Sequence, residues 1–283
     1  GDLGYAFSHS QTVSICFDAT LSLTHRPPTD RPTLGILVQF VYRLGLGLAL
    51  GMAITSSREV DNGYFRAHSW VLLGLAVLAS AVTASAAGLG SIWTPIAAAV
   101  ASYASGVCWI YDRPRAGKVA LLLIALLNLV GASGAYAVEE TSHVGPAAAV
   151  VDVFSSGMLL GVTMAAMLLG HWYLNNPGMR LAPLRRLVIV IGVAVAVRSV
   201  VVGLGLAAWV DSGAAPATVD LALLAIRWLA GLLGTAGAAV LVWYTLKVPN
   251  TQSATGILYV AVITTFLGEL SGQLLSATSG FPL

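Results

Sequence analysis

The sequence predicts an all-α membrane protein, a bundle of about eight transmembrane helices with both termini on the outer side. Three observations predict it. Of the 283 residues, 57% are hydrophobic and only 9% are charged, against about 25% charged in soluble domains. Apolar runs close to the roughly 20 residues that span a bilayer recur along the chain. Basic residues gather in alternate loops between those runs, as membrane orientation requires.

The first 33 residues are polar and mixed. They lack a basic segment followed by an apolar core and a cleavage site, so they do not resemble a signal peptide. They read as a disordered N-terminal extension, and residues 34–283 read as one polytopic transmembrane domain. Pro27, Pro28 and Pro32 announce a helix start.

Eight apolar runs follow: Leu34–Ser56, Ala67–Ala87, Ser91–Tyr111, Lys118–Val138, Ala147–Leu174, Arg186–Val210, Val219–Leu246 and Thr255–Ala277. The third is the weakest, because it holds Pro95 and several serines. The loops after odd-numbered runs carry Arg58, Arg66, Arg113, Arg115, Lys118, Arg180, Arg185, Arg186 and Lys247. The opposite side has Arg26 and Arg31, with Glu139, Glu140 and Asp211. The odd helices therefore run outward to inward. Trp70, Trp109, Trp172 and Trp243 fall near the inner interface, and Trp93 and Trp209 near the outer one, as an aromatic belt would. The chain is expected in a bacterial-type inner (plasma) membrane, with the lipid bilayer and possible further membrane subunits as partners.

Three GxxxG pairs, Gly47/Gly51, Gly157/Gly161 and Gly268/Gly272, predict close helix packing. Small residues let backbones approach where no hydrophobic force draws helices together. Gly231, Gly234 and Gly237 add a small face to the seventh run.

Charges inside the spans are the candidate functional residues, since a charge in hydrocarbon is costly and faces a partner or a wet cavity. Arg227 and Glu269 lie in adjacent runs about 10–12 Å below the outer surface at 1.5 Å per residue. Arg43 sits at a similar depth, Asp152 is shallower, and Arg198 is near the midplane. Gln273 and Thr265 lie one turn either side of Glu269, and Asn128 adds a polar group from the fourth run. The ligand-binding set is Arg43, Asp152, Arg198, Arg227, Glu269 and Gln273. Three arginines exceed two acids, and a guanidinium fork suits an oxyanion. A small anionic, quinone-like or lipid-like ligand, bound or passed by a subunit of a membrane complex or by a permease, is the first functional expectation. Two pairs, Arg227–Glu269 and Arg43–Asp152, would leave Arg198 as the cation without a carboxylate.

His68 and His171 form a second set, near the inner interface. They could ligate a b-type haem, with Arg66 or Arg180 near its propionates. The cofactor is otherwise unknown. A third expectation is a non-catalytic scaffold in which every charge is structural. There is no GxSxG, HExxH, Walker A or dinucleotide motif, and this points away from a stand-alone enzyme. Ser155 and Ser156 follow Asp152 without a histidine on the same side, which argues against a serine triad. His143 with Glu139 and Glu140 reads as a solvated loop. Cys16 and Cys108 lie far apart with no metal spacing. A net charge of +2 is too small to suggest nucleic-acid binding, which usually shows a basic patch or stripe.

Overall fold

The computed structural model describes residues 30–85, 91–137, 145–176, 178–213, 217–248 and 250–283. Among these residues every regular element is helical. The helices are α1 Asp30–Ile54, α2 Asn62–Ser85, α3 Trp93–Ile110, α4 Pro114–Ala137, α5 Pro146–Asn175 and α6 Ala182–Asp211. They continue with α7 Thr218–Thr245 and α8 Thr251–Ser279. All except α3 are long and apolar enough to cross a membrane. The weak third run is a helix of 18 residues, and its serines turn inward. Ser102 Oγ donates to the Ala98 carbonyl, and Ser105 Oγ lies 3.0 Å from Ser69 Oγ of α2.

Local signals place the helix ends. Pro146 opens α5 directly after Gly145, where its missing N–H has no helical partner to lose. Asn250 caps α8 by accepting from Ser253 N at 3.0 Å. Gly280 closes α8 at φ 75°, the left-handed conformation that favours glycine. The N-terminal extension expected over residues 1–33 lies, as far as residue 29, outside the described residues. Helix α1 already begins at Asp30 rather than at Leu34, because a proline in the first turn costs no helical hydrogen bond. The loop reading at Glu139, Glu140 and His143 also lies outside the described residues.

The helices pack as two rings of four. In the first, α1, α2, α3 and α4 contact in sequence and α4 closes on α1. In the second, α5, α6, α7 and α8 do the same and α8 closes on α5. The main seam between them is α1 against α5. These two run parallel: Arg43 meets Asp152, Gly47 meets Gly157 and Gly161, and Gly51 meets Ala165. A Cβ on Gly161 would collide with the backbone of Gly47 and Leu48, and one on Gly157 would lie 2.9 Å from the Arg43 carbonyl. The second close approach is Gly231 of α7 on Gly268 of α8, where a Cβ on Gly231 would fall 2.6 Å from the Gly268 Cα.

Two tryptophans depart from the expected belt. Trp109 is buried and stacks on Phe65 at 4.2 Å. Trp209 is buried against Leu275 and Leu283. Both rings face a neighbouring helix instead of the headgroups. Trp70, Trp93 and Trp243 are exposed.

The seam sets a stability test. Gly161→Ala should lower thermal stability in detergent by about 1–3 kcal/mol, the cost of forcing volume into a packed contact. Gly192 of α6 has nothing within reach of an added Cβ, so Gly192→Ala should be neutral or stabilising by up to about 1 kcal/mol through helix propensity. Equal effects of the two substitutions would show that the α1–α5 contact does not limit stability.

Candidate functional site

Five charges from five helices join in one buried chain. Each is at most 3% exposed. Arg43 Nη2 of α1 lies 2.8 Å from Asp152 Oδ2 of α5. The other oxygen, Asp152 Oδ1, accepts from Arg198 Nη1 of α6 at 2.5 Å. Arg198 then turns its Nε–Nη2 edge to Glu269 of α8, donating to Oε1 at 3.2 Å and to Oε2 at 3.1 Å. Arg227 Nη1 of α7 donates to Glu269 Oε1 at 2.7 Å. The order is Arg43, Asp152, Arg198, Glu269, Arg227, with signs alternating.

Two serines complete it. Ser156 Oγ donates to Glu269 Oε2 at 2.6 Å. Ser155 Oγ accepts from Arg198 Nη1 at 3.2 Å and donates to the Asp152 carbonyl at 3.1 Å. Every carboxylate oxygen of the chain therefore has at least one donor. Burying a charge is tolerable only when it is paired and hydrogen-bonded in this way.

The leftover positive charge is not where the sequence reading put it. Arg198 was expected to be the cation without a carboxylate. It is instead the most fully paired cation, because α5 and α8 bring an acid to each side of it. The pairs Arg43–Asp152 and Arg227–Glu269 form as expected, but Arg198 bridges them. The under-satisfied groups are at the two ends. Arg43 Nε has no partner, and neither do Arg227 Nε and Nη2. The free Arg227 edge is the same Nε–Nη2 edge that grips Glu269 in Arg198, and it matches an oxyanion bidentately.

A narrow cleft reaches the Arg43 end. Gln39, Arg43, Arg198, Gly272, Gln273 and Ser276 line it, and its free volume is about 20 Å³, room for about one water. Gln39 Nε2 donates to the Ala132 carbonyl at 2.9 Å, while its Oε1 has no partner. Both side-chain polar atoms of Gln273 are also buried without a partner. Gly272 joins the cleft to the far end of the chain. A Cβ there would stand 3.1 Å from Arg227 Nε and 2.6 Å from the Leu283 carbonyl oxygen.

Arg227 sits at the start of a π-helical stretch, Ile226–Gly234, which composition does not announce. An α-helix drifts by about 40° over four residues. The looser winding offsets that drift, so Arg227, Gly231 and Thr235 all face α8. They meet Glu269, Gly268 and Thr265 respectively, the last through hydroxyls 2.8 Å apart.

The remaining candidates lie elsewhere. Asn128 donates to the Ile124 carbonyl at 2.8 Å and packs beside Gly45, away from the charges. His68 is buried, with Nδ1 at 2.5 Å from the Tyr64 carbonyl and its ring 4.3 Å from that of Tyr64. His171 is exposed on α5, and its Nδ1 lies 3.4 Å from Tyr259 Oη of α8. No group of three or more His, Cys, Asp or Glu able to hold a metal occurs among the described residues. Sequence reasoning missed Gln39, Ser276 and the two serines as members of the site. Gln39 stands four residues before Arg43, on the same helix face, and that spacing was the available signal.

The chain predicts a ranking. Arg198→Met strips both carboxylates of a partner and should cost about 3–5 kcal/mol, as breaking buried pairs does. Arg227→Met should cost less, since Glu269 keeps Arg198 and Ser156 and two unpartnered nitrogens disappear. Thermal unfolding in detergent orders the two, and a reversed order would overturn the central place of Arg198.

Comparison with protein-family models, with curated proteins and with solved structures found no match to this chain.

Proposed function

We propose that this chain is a multi-pass membrane protein that binds the oxygen-bearing end of a small anionic or quinone-like ligand in the cleft at Arg43. The single observation that supports this reading is the set of unpartnered polar atoms around one opening: Gln39 Oε1, Arg43 Nε and both ends of the Gln273 amide. Such groups are costly when left dry. They offer two donors and two acceptors beside a chain of net charge +1, which suits a carboxylate, a phosphate or a quinone carbonyl. The space admits only the tip of a ligand, so the body would lie outside the cleft. The basic loops after α1, α3, α5 and α7 favour a topology of eight crossings with both termini outside, in a bacterial-type plasma membrane. A role as a subunit of a larger complex belongs to the same reading.

One observation favours a second reading, a structural scaffold. All four carboxylate oxygens of the chain are already partnered, so the charges fix the helices without any ligand.

Gln273→Leu separates the two. It removes two unpartnered groups and keeps a similar volume, so stability in detergent should hold or rise. Stabilisation of the native protein by decylubiquinone, benzoate or inorganic phosphate should disappear in the variant. If none of the three stabilises the native protein and Gln273→Leu changes only its melting point, the scaffold reading stands.

A further inference from the structure

A second cavity lies away from the charge chain, between α6 and α7 on the side of the basic loops. Val188, Gly192 and Ala196 of α6 and Ala236, Val240 and Tyr244 of α7 line it, and it is an open trough of about 580 Å³. Its wall spans nine residues on each helix, eight rises of 1.5 Å or about 12 Å. Its apolar walls suit a hydrocarbon chain. Gly192 leaves its floor open, with nothing near an added Cβ.

The mouth carries the opposite chemistry. Arg185, at the start of α6, donates from Nη2 to the Leu246 carbonyl at 2.6 Å, which ties the beginning of α6 to the end of α7. Lys247 follows directly, its Nζ 4.5 Å above the Tyr244 ring. Both cations are exposed. Glu59, an acid of the same loop side, is engaged by Arg186 at 3.1 Å and does not neutralise them. Trp243 and Tyr244 stand at this end of the trough, where amphipathic rings mark the headgroup level.

We propose that the α6–α7 trough binds an anionic phospholipid, with one acyl chain along Gly192 and Ala236 and the phosphate at Lys247 and Arg185. Basic pockets between helices on the positively charged side of a membrane protein recognise anionic headgroups in this manner. The site is independent of the Arg43 cleft and needs only the membrane assignment.

The test uses the full chain, purified in detergent and stripped of lipid. Phosphatidylglycerol should raise its thermal midpoint in a saturable way, more than phosphatidylcholine does. Native mass spectrometry should find one phosphatidylglycerol retained per chain. Lys247→Gln should weaken that binding about fivefold, the effect of one lysine near an anionic headgroup, while leaving the response to phosphatidylcholine. Gly192→Leu places a side chain in open space and should fold normally, yet lose the bound lipid. Equal responses to the two lipids in the native protein would overturn the proposal. So would full retention of phosphatidylglycerol by Gly192→Leu, or a dimer that this substitution dissociates.

Discussion

The architecture depends on one side chain, Arg198, whose guanidinium spends all three nitrogens on carboxylates from two other helices. In hydrocarbon, an isolated Asp152 or Glu269 would have no tolerable state as an anion. Arg198 alone touches both. The end arginines each add one contact, and Ser156 of α5 adds a hydroxyl donor to Glu269. Desolvating five charges is expensive, and their mutual attraction recovers that cost only with short, well-formed contacts on every side. The chain therefore acts as a specification: a helix that rotated or slid would leave a charge bare.

That specification has geometric requirements, and the glycines meet them. Asp152 has a short side chain, so α1 and α6 must both come close to α5. Gly47, Gly157 and Gly161 remove the side chains that would hold α1 and α5 apart. Gly231 and Gly268 do the same for α7 and α8. Lipid tails are as apolar as the helix surfaces, so no hydrophobic drive pulls these helices together. Close backbone packing and the buried charges have to supply the association. The π-helical winding after Arg227 serves the same end, by keeping three successive contacts of α7 aimed at α8.

The positions of the helices were largely legible because hydropathy over about 20 residues is a strong signal. Each of the eight apolar runs corresponds to a helix, with ends within about five residues. The five buried charges were legible for the same reason, since a charge stands out in an apolar run. Their pairing was not. Sequence gives depth along a helix but not which way a side chain points, so Arg198 could be placed at its level while the acids from α5 and α8 that reach it could not. Trp109 and Trp209 failed for a similar reason: a ring near a helix end is compatible with both the headgroups and a neighbouring helix. The π-helical stretch left no trace in residue type, since IRWLAGLLG also suits an ordinary α-helix.

The two rings give the cleft its position. Four members of the charge chain belong to the second ring, and Arg43 alone comes from the first. Among the buried ion pairs of the described residues, Arg43–Asp152 is the one that crosses the seam. The cleft opens beside that same arginine and takes its lining from α1, α6 and α8. A group bound there would share the Arg43 guanidinium with Asp152, and so would act on the one buried ionic contact between the halves. The glycine seam beside it, at Gly47 and Gly161, brings the two backbones into direct contact. The cleft end of the seam is where Gln39 Oε1 and both polar atoms of Gln273 stand without a partner, so an occupant there would meet these groups first.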